Sequence, residues 1–414
     1  MRWGEVPHIS KIGKYAVKNP SAIREILSVV ADFEKHPEKY PRKLIYLAGG
    51  WPQDPPPPVL REAARELAED EGAFNLSARY CPTKGDPDFI EALVRYEEAV
   101  WGRRVREGED AIIVGSGSTD LTAAAMMACL DPGDELIITC PGYLNYKRQV
   151  EIESLLGVQV KWWPIVKDQE YAPDPGELAD IITDRTRLVI ITTPGNPDSK
   201  VMPEDVLEGV MDVAEEKDIW VMLDLAYRAY FFDEEPKYLS RPRRPNEILM
   251  CTLSKEFRVP GWRLAYAIAD PGLVEAMNAI EQARVLCPST LAQKILVRAL
   301  STDERLKAIR AYYDAGRQKY ARVAKLAYEA VQDAMPKAVP LEPQGGFYVF
   351  FDASAYDPQS RRLCRRLLEE VQVALAPGKD FGMEGWLRLA YAPTVEKPEL
   401  ISEAMERIKS VLGS

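Results

Sequence analysis

Between about residues 111 and 300, short apolar runs alternate with segments whose apolar residues recur at helical spacing. Five of these runs are AIIVG, ELIITC, LVIITT, IWVMLD and EILMCTLS. Runs that are apolar almost throughout are typical of strands buried on both faces of a parallel sheet. Because strands alternate with helices along the chain, the pattern predicts an α/β layer architecture.

The pattern differs on either side of this region. Before it, SAIREILSVV has four apolar residues at helical spacing and Ser21 as an N-cap, which predicts a helix. After residue 300, a long charged helical segment leads into GGFYVFFDA, another helix, VQVALAPG, WLRLAYA and a final helix. A chain of 414 residues exceeds the usual size of one domain. We expect residues 1–47 to form an N-terminal arm and a helix that packs on the small domain. Residues 48–301 should form a large domain, and residues 302–414 a small C-terminal α+β domain.

Composition narrows the possible functions. The formal net charge of −11 disfavours a nucleic-acid partner, since neutralising phosphates needs a basic face. No apolar run is long enough to span a bilayer, and the N-terminus lacks the pattern of a secretory signal. Six cysteines without C-x-x-C pairs suit a reducing compartment, and two histidines make a zinc site improbable. We expect a cytoplasmic protein with no membrane association and no metal.

Four residues of unusual chemistry each follow a separate apolar run. Tyr143 follows ELIITC, Asn196 follows LVIITT, Asp224 ends IWVMLD and Lys255 follows EILMCTLS. In an open parallel sheet, ligands bind outside the carboxyl ends of the strands. The sequence therefore predicts that an aromatic ring, an amide, a carboxylate and an amine meet in one crevice.

The segment TLSKEFRVPGWR suggests what the crevice binds. Lys255 precedes Arg258 and Arg263, and neighbouring cations lower the pKa of a lysine and make its amine nucleophilic. Thr252 and Ser254 add hydroxyl donors suited to a phosphate. The alternative is a solvated surface lysine, the usual situation for this residue.

Two further features concern the same ligand. A carboxylate at the end of an apolar strand is costly unless a cation pairs with it, and a protonated pyridine nitrogen would be such a partner for Asp224. IIVGSGSTDLTAAAMMACL predicts a strand, a small-residue loop and a helix whose first N–H groups could bind a phosphate. Alone, the second pattern equally fits a plain turn between strand and helix.

Together these motifs resemble the class I (fold-type I) aminotransferases, the group that contains aspartate, aromatic and aminoadipate aminotransferases. The resemblance extends from GGWP near residue 50 to WLRLAYA near residue 390, with the motifs in the family's order. It implies a pyridoxal 5′-phosphate (PLP) enzyme with a mostly parallel seven-stranded sheet between helices, and a smaller α+β domain built from both chain ends. It also implies ping-pong transfer of an amino group from an L-α-amino acid to a 2-oxo acid, commonly 2-oxoglutarate, by a homodimer with shared active sites.

The resemblance assigns roles to individual residues. Lys255 would hold PLP as a Schiff base and shuttle the proton, and Asp224 would pair with the pyridine nitrogen. Asn196 and Tyr227 would bind the phenolic oxygen, and Tyr143 would stack on the ring. The phosphate would be held by Ser118, Thr119, Thr252, Ser254 and Arg263.

Three more residues complete the expected site. Tyr80 would reach the phosphate in the other subunit, and Gly50, with Asn196, would line the substrate side. Arg388 would bind the substrate α-carboxylate. Its place between Leu387 and Leu389 independently requires an anion, since a buried guanidinium needs one. A structural ion pair with Asp or Glu is the alternative.

The chain departs from the family's pattern in three places. The usual N-P-T-G motif is Asn196-Pro197-Asp198-Ser199, and Tyr146 stands where some members place a histidine behind the aspartate. The arginine with which dicarboxylate-specific members bind the distal carboxylate has only Arg24 and Arg284 as candidates. A β-lyase or a cyclopropane-forming synthase on the same fold remains the alternative activity, since both would share the cofactor motifs.

Overall fold

The computed structural model describes residues 10–19, 30–33, 35–143, 145–154 and 157–412. The helix predicted after Ser21 and the candidate Arg24 lie outside these residues. The helices, in chain order, are Lys11–Lys18 (α1), Pro58–Glu69 (α2), Glu71–Ser77 (α3), Pro87–Trp101 (α4), Ser118–Cys129 (α5), Asn145–Gln149 (α6), Pro175–Ile181 (α7), Glu204–Glu216 (α8), Leu253–Glu256 (α9), Pro271–Arg284 (α10), Thr290–Ala299 (α11), Asp303–Ala334 (α12), Ser360–Val371 (α13) and Glu399–Leu412 (α14).

The strands form one large sheet and several smaller ones. They are Ile45–Tyr46 (β1), Ala111–Gly115 (β2), Glu135–Cys140 (β3), Gln159–Pro164 (β4), Val166–Lys167 (β5), Glu170–Tyr171 (β6), Thr186–Thr192 (β7), Trp220–Asp224 (β8), Glu247–Thr252 (β9), Ala265–Ala269 (β10), Val339–Pro340 (β11), Tyr348–Asp352 (β12), Val373–Ala374 (β13), Ala376–Pro377 (β14) and Trp386–Ala390 (β15).

The large sheet has seven strands in the order β2-β10-β9-β8-β7-β3-β4. Only β10 runs antiparallel to its neighbours. The five apolar runs of the sequence are β2, β3, β7, β8 and β9, so the predicted mostly parallel sheet is confirmed. β4 and β10 were not among those runs, because QVKWWP mixes polar with aromatic residues and AYAIA is rich in alanine.

The sheet is buried on both faces. Along β8, Val221 and Leu223 belong to one apolar cluster, whereas Met222 between them belongs to a second cluster that also contains residues of α5 and α10. Successive side chains of a strand point to opposite faces, so the alternation shows that both faces pack against helices. This burial explains why the strands are apolar at nearly every position.

A second sheet, with strand order β11-β12-β15-β14, is antiparallel. Arg388 on β15 pairs with Phe350 of β12 and Ala376 of β14. Near the other end of the chain, β1 pairs with β13 through Ile45 and Val373. Segments from both ends of the chain therefore build the smaller α+β unit, and the 32-residue helix α12 leads into it.

Among the residues described above, no helix is both long enough and apolar enough to cross a membrane.

Candidate active site

One cavity of about 220 Å³ lies at the carboxyl ends of β3, β7, β8 and β9, which are neighbours in the sheet. A water molecule occupies about 30 Å³ in the liquid, so the cavity has room for a small organic molecule. The expected site residues that line it are Gly50, Ser118, Thr119, Tyr143, Asn196, Asp224, Tyr227, Thr252, Ser254, Lys255, Arg263 and Arg388. Tyr80 is not among the lining residues; it is 82% exposed in the single chain.

Lys255 is positioned by the short helix α9, which begins directly after β9. Its Nζ donates a hydrogen bond to the carbonyl oxygen of Gly50 at 3.0 Å. Burial lowers the pKa of Lys255 to about 8, and the positive charges of Arg263 and Arg388 act in the same direction, against Asp224. A neutral amine, the nucleophilic form, is thus available near neutral pH.

The expectation that Arg258 also acts on Lys255 is wrong. Its Nε lies 3.5 Å from Asp54 Oδ2, and its guanidinium packs 4.6 and 4.8 Å from the ring centres of Tyr230 and Tyr312. Arg258 adopts the left-handed conformation, with φ at +54°, and does not line the cavity. The cation that joins Arg263 beside the lysine is Arg388, from the other end of the chain.

Asp224 ends β8 with its carboxylate buried and hydrogen-bonded. Oδ1 accepts from the N–H of Ala226 at 2.9 Å, and Oδ2 accepts from the Tyr146 hydroxyl. Burial raises the pKa of Asp224 to about 6, although the two hydrogen bonds and Lys255 oppose the change. Tyr146, which stands where some relatives have histidine, also lies 3.1 Å from Thr192 Oγ1. A hydroxyl donor therefore orients this carboxylate.

Asn196 links the two sheets. Its Nδ2 donates to the Tyr227 hydroxyl at 3.2 Å, and its Oδ1 accepts from Arg388 Nη1 at 2.7 Å. Tyr143 lines the cavity beside these groups, its ring perpendicular to that of Tyr146.

One end of the cavity suits a phosphate. Helix α5 begins at Ser118 after Gly117, and no side chain caps its N-terminus. Its first N–H groups have no partner within the helix, and they favour an anion. Gly117 has φ at +95°, and a Cβ there would clash with the guanidinium of Arg263. The glycine thus allows Arg263 to approach the helix start, next to the hydroxyls of Thr119 and Thr252.

Arg388 lies at the opposite side and does not form the ion pair considered above. Its Nη2 donates to the carbonyl oxygen of Ala48 at 2.7 Å, while Nε is buried without a partner. The guanidinium stacks 4.3 Å from the ring centre of Tyr348 and 4.5 Å from that of Phe381. No carboxylate in the described part of the chain pairs with Arg388, which lines the cavity, so its positive charge can pair with an incoming anion.

Arg284 does not reach the cavity. Its Nη1 lies 2.5 Å from Glu281 Oε1 and 3.4 Å from Asp120 Oδ1, behind the phosphate end. Within one chain Arg284 does not line the cavity, so its role in binding a distal carboxylate stays a prediction.

An ion-pair network lies behind the cavity and joins two of its loops. Arg228, which follows Tyr227, donates from Nε to Glu256 Oε1 at 2.8 Å and from Nη2 to Glu97 Oε1 at 2.8 Å. All three side chains are fully buried. Because Glu256 directly follows Lys255, the network holds the loop that carries Tyr227 against α9, the helix that carries Lys255.

Sequence reasoning missed Tyr348. It is fully buried, lines the cavity, and places its hydroxyl 2.9 Å from that of Tyr227. GGFYVFF resembles any buried strand, so only its two glycines, which precede the aromatic residues, signalled a close approach. Tyr46, Trp51 and Phe381 also line the cavity and were not predicted either.

These residues fit the cofactor implied by the family. One end of the cavity offers hydroxyls, a helix N-terminus and Arg263 for a phosphate; the middle offers Lys255, Asp224 and the ring of Tyr143. Arg388 adds a positive charge that suits a carboxylate.

Comparison with known proteins agrees with this chemistry. The family model "Aminotransferase class I and II" matches residues 42–408. The aspartate/prephenate aminotransferase of Thermus thermophilus is 32% identical over 371 residues, which cover 89% of this chain and 91% of the relative. Among solved structures, the T. thermophilus aspartate aminotransferase with maleate has a TM-score of 0.85 at 28% identity, covering 98% of this chain and 100% of its own.

An aromatic aminotransferase from Pyrococcus horikoshii is also similar in structure, with a TM-score of 0.79 at 27% identity, covering 92% of this chain and 98% of its own. The family match spans most of the chain, and the first relative exceeds 30% identity over nine-tenths of its own length. The chain therefore belongs to the class I and II aminotransferases and is a PLP-dependent aminotransferase of fold type I.

Proposed function

We propose that the enzyme transfers the amino group of an L-α-amino acid to 2-oxoglutarate in two half-reactions that use the same cavity in turn. It acts as a cytoplasmic homodimer with shared active sites. Residues 48–301 bind the cofactor, and the units formed by residues 1–47 and 302–414 bring Arg388 to the substrate.

The observation that carries the proposal is the convergence of Lys255, Asp224 and Arg388 on one cavity. A nucleophilic amine on α9, a buried carboxylate at the end of β8 and a guanidinium on β15 line the same cavity. An amino acid offers a carboxylate for the guanidinium of Arg388 and a Cα–H proton that the amine of Lys255 would take.

Each of these residues has one task. Arg388 binds the α-carboxylate through a charge-assisted contact, which orients the Cα–H bond. Lys255 Nζ would take the proton from Cα and act as the proton shuttle. Asp224 stabilises the positive charge on the pyridine nitrogen. The cofactor, when bound, supplies the electron sink for the pair left at Cα. Asn196 and Tyr227 would bind its phenolic oxygen, and Tyr143 would lie against its ring.

The proposed homodimer rests on the surface around Tyr80. Four large apolar side chains on the two chain segments that contain Tyr80 and Pro288 are well exposed in the single chain: Phe74, Leu76, Leu286 and Leu291. Cys81 Sγ contacts the Pro288 carbonyl oxygen at 3.6 Å, so the two exposed segments lie together. A contiguous exposed apolar patch is typical of a protein interface, and Tyr80 would cross it to the phosphate of the partner.

The decisive experiment is a screen of half-reactions. Holoenzyme is mixed with each L-amino acid, loss of the bound cofactor's visible absorbance is followed, and 2-oxo acid is measured; 2-oxoglutarate is then added. Because Tyr46, Trp51 and Phe381 line the substrate side, the screen includes aromatic as well as dicarboxylic amino acids. Stoichiometric 2-oxo acid and regeneration of absorbance by 2-oxoglutarate support transamination. Release of ammonia with pyruvate would identify a β-lyase, and a cyclic product would identify the synthase.

A further inference from the structure

Tyr348 contacts both halves of the candidate site. Its hydroxyl lies 2.9 Å from the Tyr227 hydroxyl, and its ring lies under the Arg388 guanidinium at 4.3 Å. The residue begins β12, one strand away from Arg388 on β15, and is fully buried.

The hydrogen bonds around Tyr348 have a defined direction. Arg388 can only donate, so the Asn196 atom facing it must be the acceptor Oδ1, and Nδ2 must face Tyr227. The Tyr227 oxygen therefore accepts from Asn196, and its own proton must go elsewhere. When Tyr227 donates to a cofactor oxygen, the short contact with Tyr348 is a hydrogen bond only if Tyr348 is the donor.

The backbone of Tyr348 is held by the segment in which this chain departs from its family. The N–H of Tyr348 donates to Ser199 Oγ at 3.1 Å. Ser199 has φ at +56°, a conformation that favours glycine, yet a glycine would lack this acceptor. On the other side, a Cβ at Gly50 would lie 2.5 Å from the Tyr348 hydroxyl. The position of Tyr348 thus explains why residue 199 is a serine and residue 50 a glycine.

We propose, on the basis of the function proposed above, that Tyr348 is a positioning residue: its hydroxyl sets the donor direction of Tyr227, and its ring fixes Arg388. Tyr227, which would contact the cofactor's phenolic oxygen, and Arg388, which would bind the substrate carboxylate, are thereby held in a fixed position relative to each other. Tyr348 acts on the first through the hydroxyl and on the second through the ring, so the two actions are separable by substitution.

The test compares Tyr348→Phe with wild-type holoenzyme. Removing the hydroxyl weakens Tyr227 as a donor, so the phenolic oxygen is less stabilised as an anion. The pH midpoint of the bound cofactor's visible absorbance should rise by about half a pH unit. This is the size expected for one neutral hydrogen bond that acts on the cofactor only through Tyr227. Because the ring stays under Arg388, the Kd for amino acid should change little while kcat falls. Tyr348→Leu removes the ring as well and should also weaken substrate binding.

Two further variants complete the design. Tyr391→Phe removes another fully buried hydroxyl, whose nearest partner is the Gly346 carbonyl oxygen at 3.4 Å, and should leave the midpoint unchanged. Ser199→Gly keeps the left-handed backbone but removes the Oγ acceptor, and should move the midpoint in the same direction as Tyr348→Phe. It also provides the test if Tyr348→Phe does not fold.

An unchanged midpoint in both Tyr348→Phe and Ser199→Gly overturns the inference, even if both variants lose thermal stability. That result would leave transamination by the wild-type enzyme intact. Failure of the wild type to transfer amino groups in the half-reaction screen would instead remove the proposed function, so the two failures are distinguishable.

Discussion

Arg388 Nη1 donates a hydrogen bond to Asn196 Oδ1 at 2.7 Å, which joins a residue of the four-stranded sheet to one that follows a strand of the seven-stranded sheet. The guanidinium keeps Nε buried and unpartnered. Other buried arginines, such as Arg228 and Arg258, pair with carboxylates, whereas Arg388 has no carboxylate partner among the described residues. The arrangement suits a residue that completes its hydrogen bonds with a ligand.

Replacing Arg388 with Leu should weaken substrate binding and spare the cofactor. A hydrogen bond to a charged group contributes about 1.5–3 kcal/mol, so the amino-acid Kd should rise by at least roughly tenfold to a hundredfold. The Kd is measured by titrating the holoenzyme's visible absorbance. Arg388→Lys keeps the charge but loses the two-pronged geometry of the guanidinium, so its Kd should lie between those of the wild type and Arg388→Leu. Loss of cofactor binding with unchanged substrate affinity would show a structural role instead.

Replacing Asp224 with Ala tests the electron-sink argument. The cofactor should still bind, more weakly, but proton removal from Cα should slow by roughly two to three orders of magnitude, as for loss of one electrostatic stabiliser. The measurement is Cα hydrogen exchange in deuterated water. Asp198→Asn is a matched control: this buried carboxyl also has its pKa raised to about 6 by burial, but lies off the cavity. Near wild-type exchange in Asp224→Ala would contradict the assignment.

The pKa of Lys255 predicts how the rate of cofactor uptake depends on pH. The neutral amine attacks the PLP aldehyde, and the ammonium does not. The pKa of Lys255 is about 8 in the protein without cofactor. The rate should therefore rise with pH through about 8 and then level off, whereas a solvated lysine would level off only near its own, higher pKa. Stopped-flow absorbance on apoenzyme measures this rate. A profile that keeps rising well above pH 10 would show that Lys255 is an ordinary exposed amine.

Shared active sites are tested with mixed dimers of Tyr80→Phe and Lys255→Ala. If Tyr80 serves the partner's site, one site of the mixed dimer combines an intact Lys255 with an intact Tyr80, and wild-type turnover returns there. Lys255→Ala dimers alone should be inactive. Mixed dimers that never exceed the turnover of Tyr80→Phe would show that Tyr80 acts within its own subunit or not at all.

Much of the site was predictable because strand ends are predictable. Apolar runs marked five of the seven strands, and the carboxyl ends of parallel strands meet at one edge, which placed Tyr143, Asn196, Asp224 and Lys255 together. Arg388 stood out because a charge within an apolar run needs an explanation.

Other features could not be predicted from the sequence, for physical reasons. Arg258 lies three residues from Lys255, but its left-handed backbone turns it toward Asp54 and aromatic rings, a direction that spacing does not specify. Tyr348 has the polarity pattern of a core strand, so its hydroxyl contact with Tyr227 emerges only when the two sheets pack together. Tyr80 depends on a second subunit, and its role stays a prediction.

The most direct test of the account is to reduce the holoenzyme with borohydride and map the modified peptide by mass spectrometry. Reduction fixes the cofactor on the amine that holds it. We predict a single modified peptide, containing Lys255, and no modification in Lys255→Ala after the same treatment. Cofactor fixed on a different lysine, or no covalent cofactor in an active wild-type enzyme, would contradict the central claim.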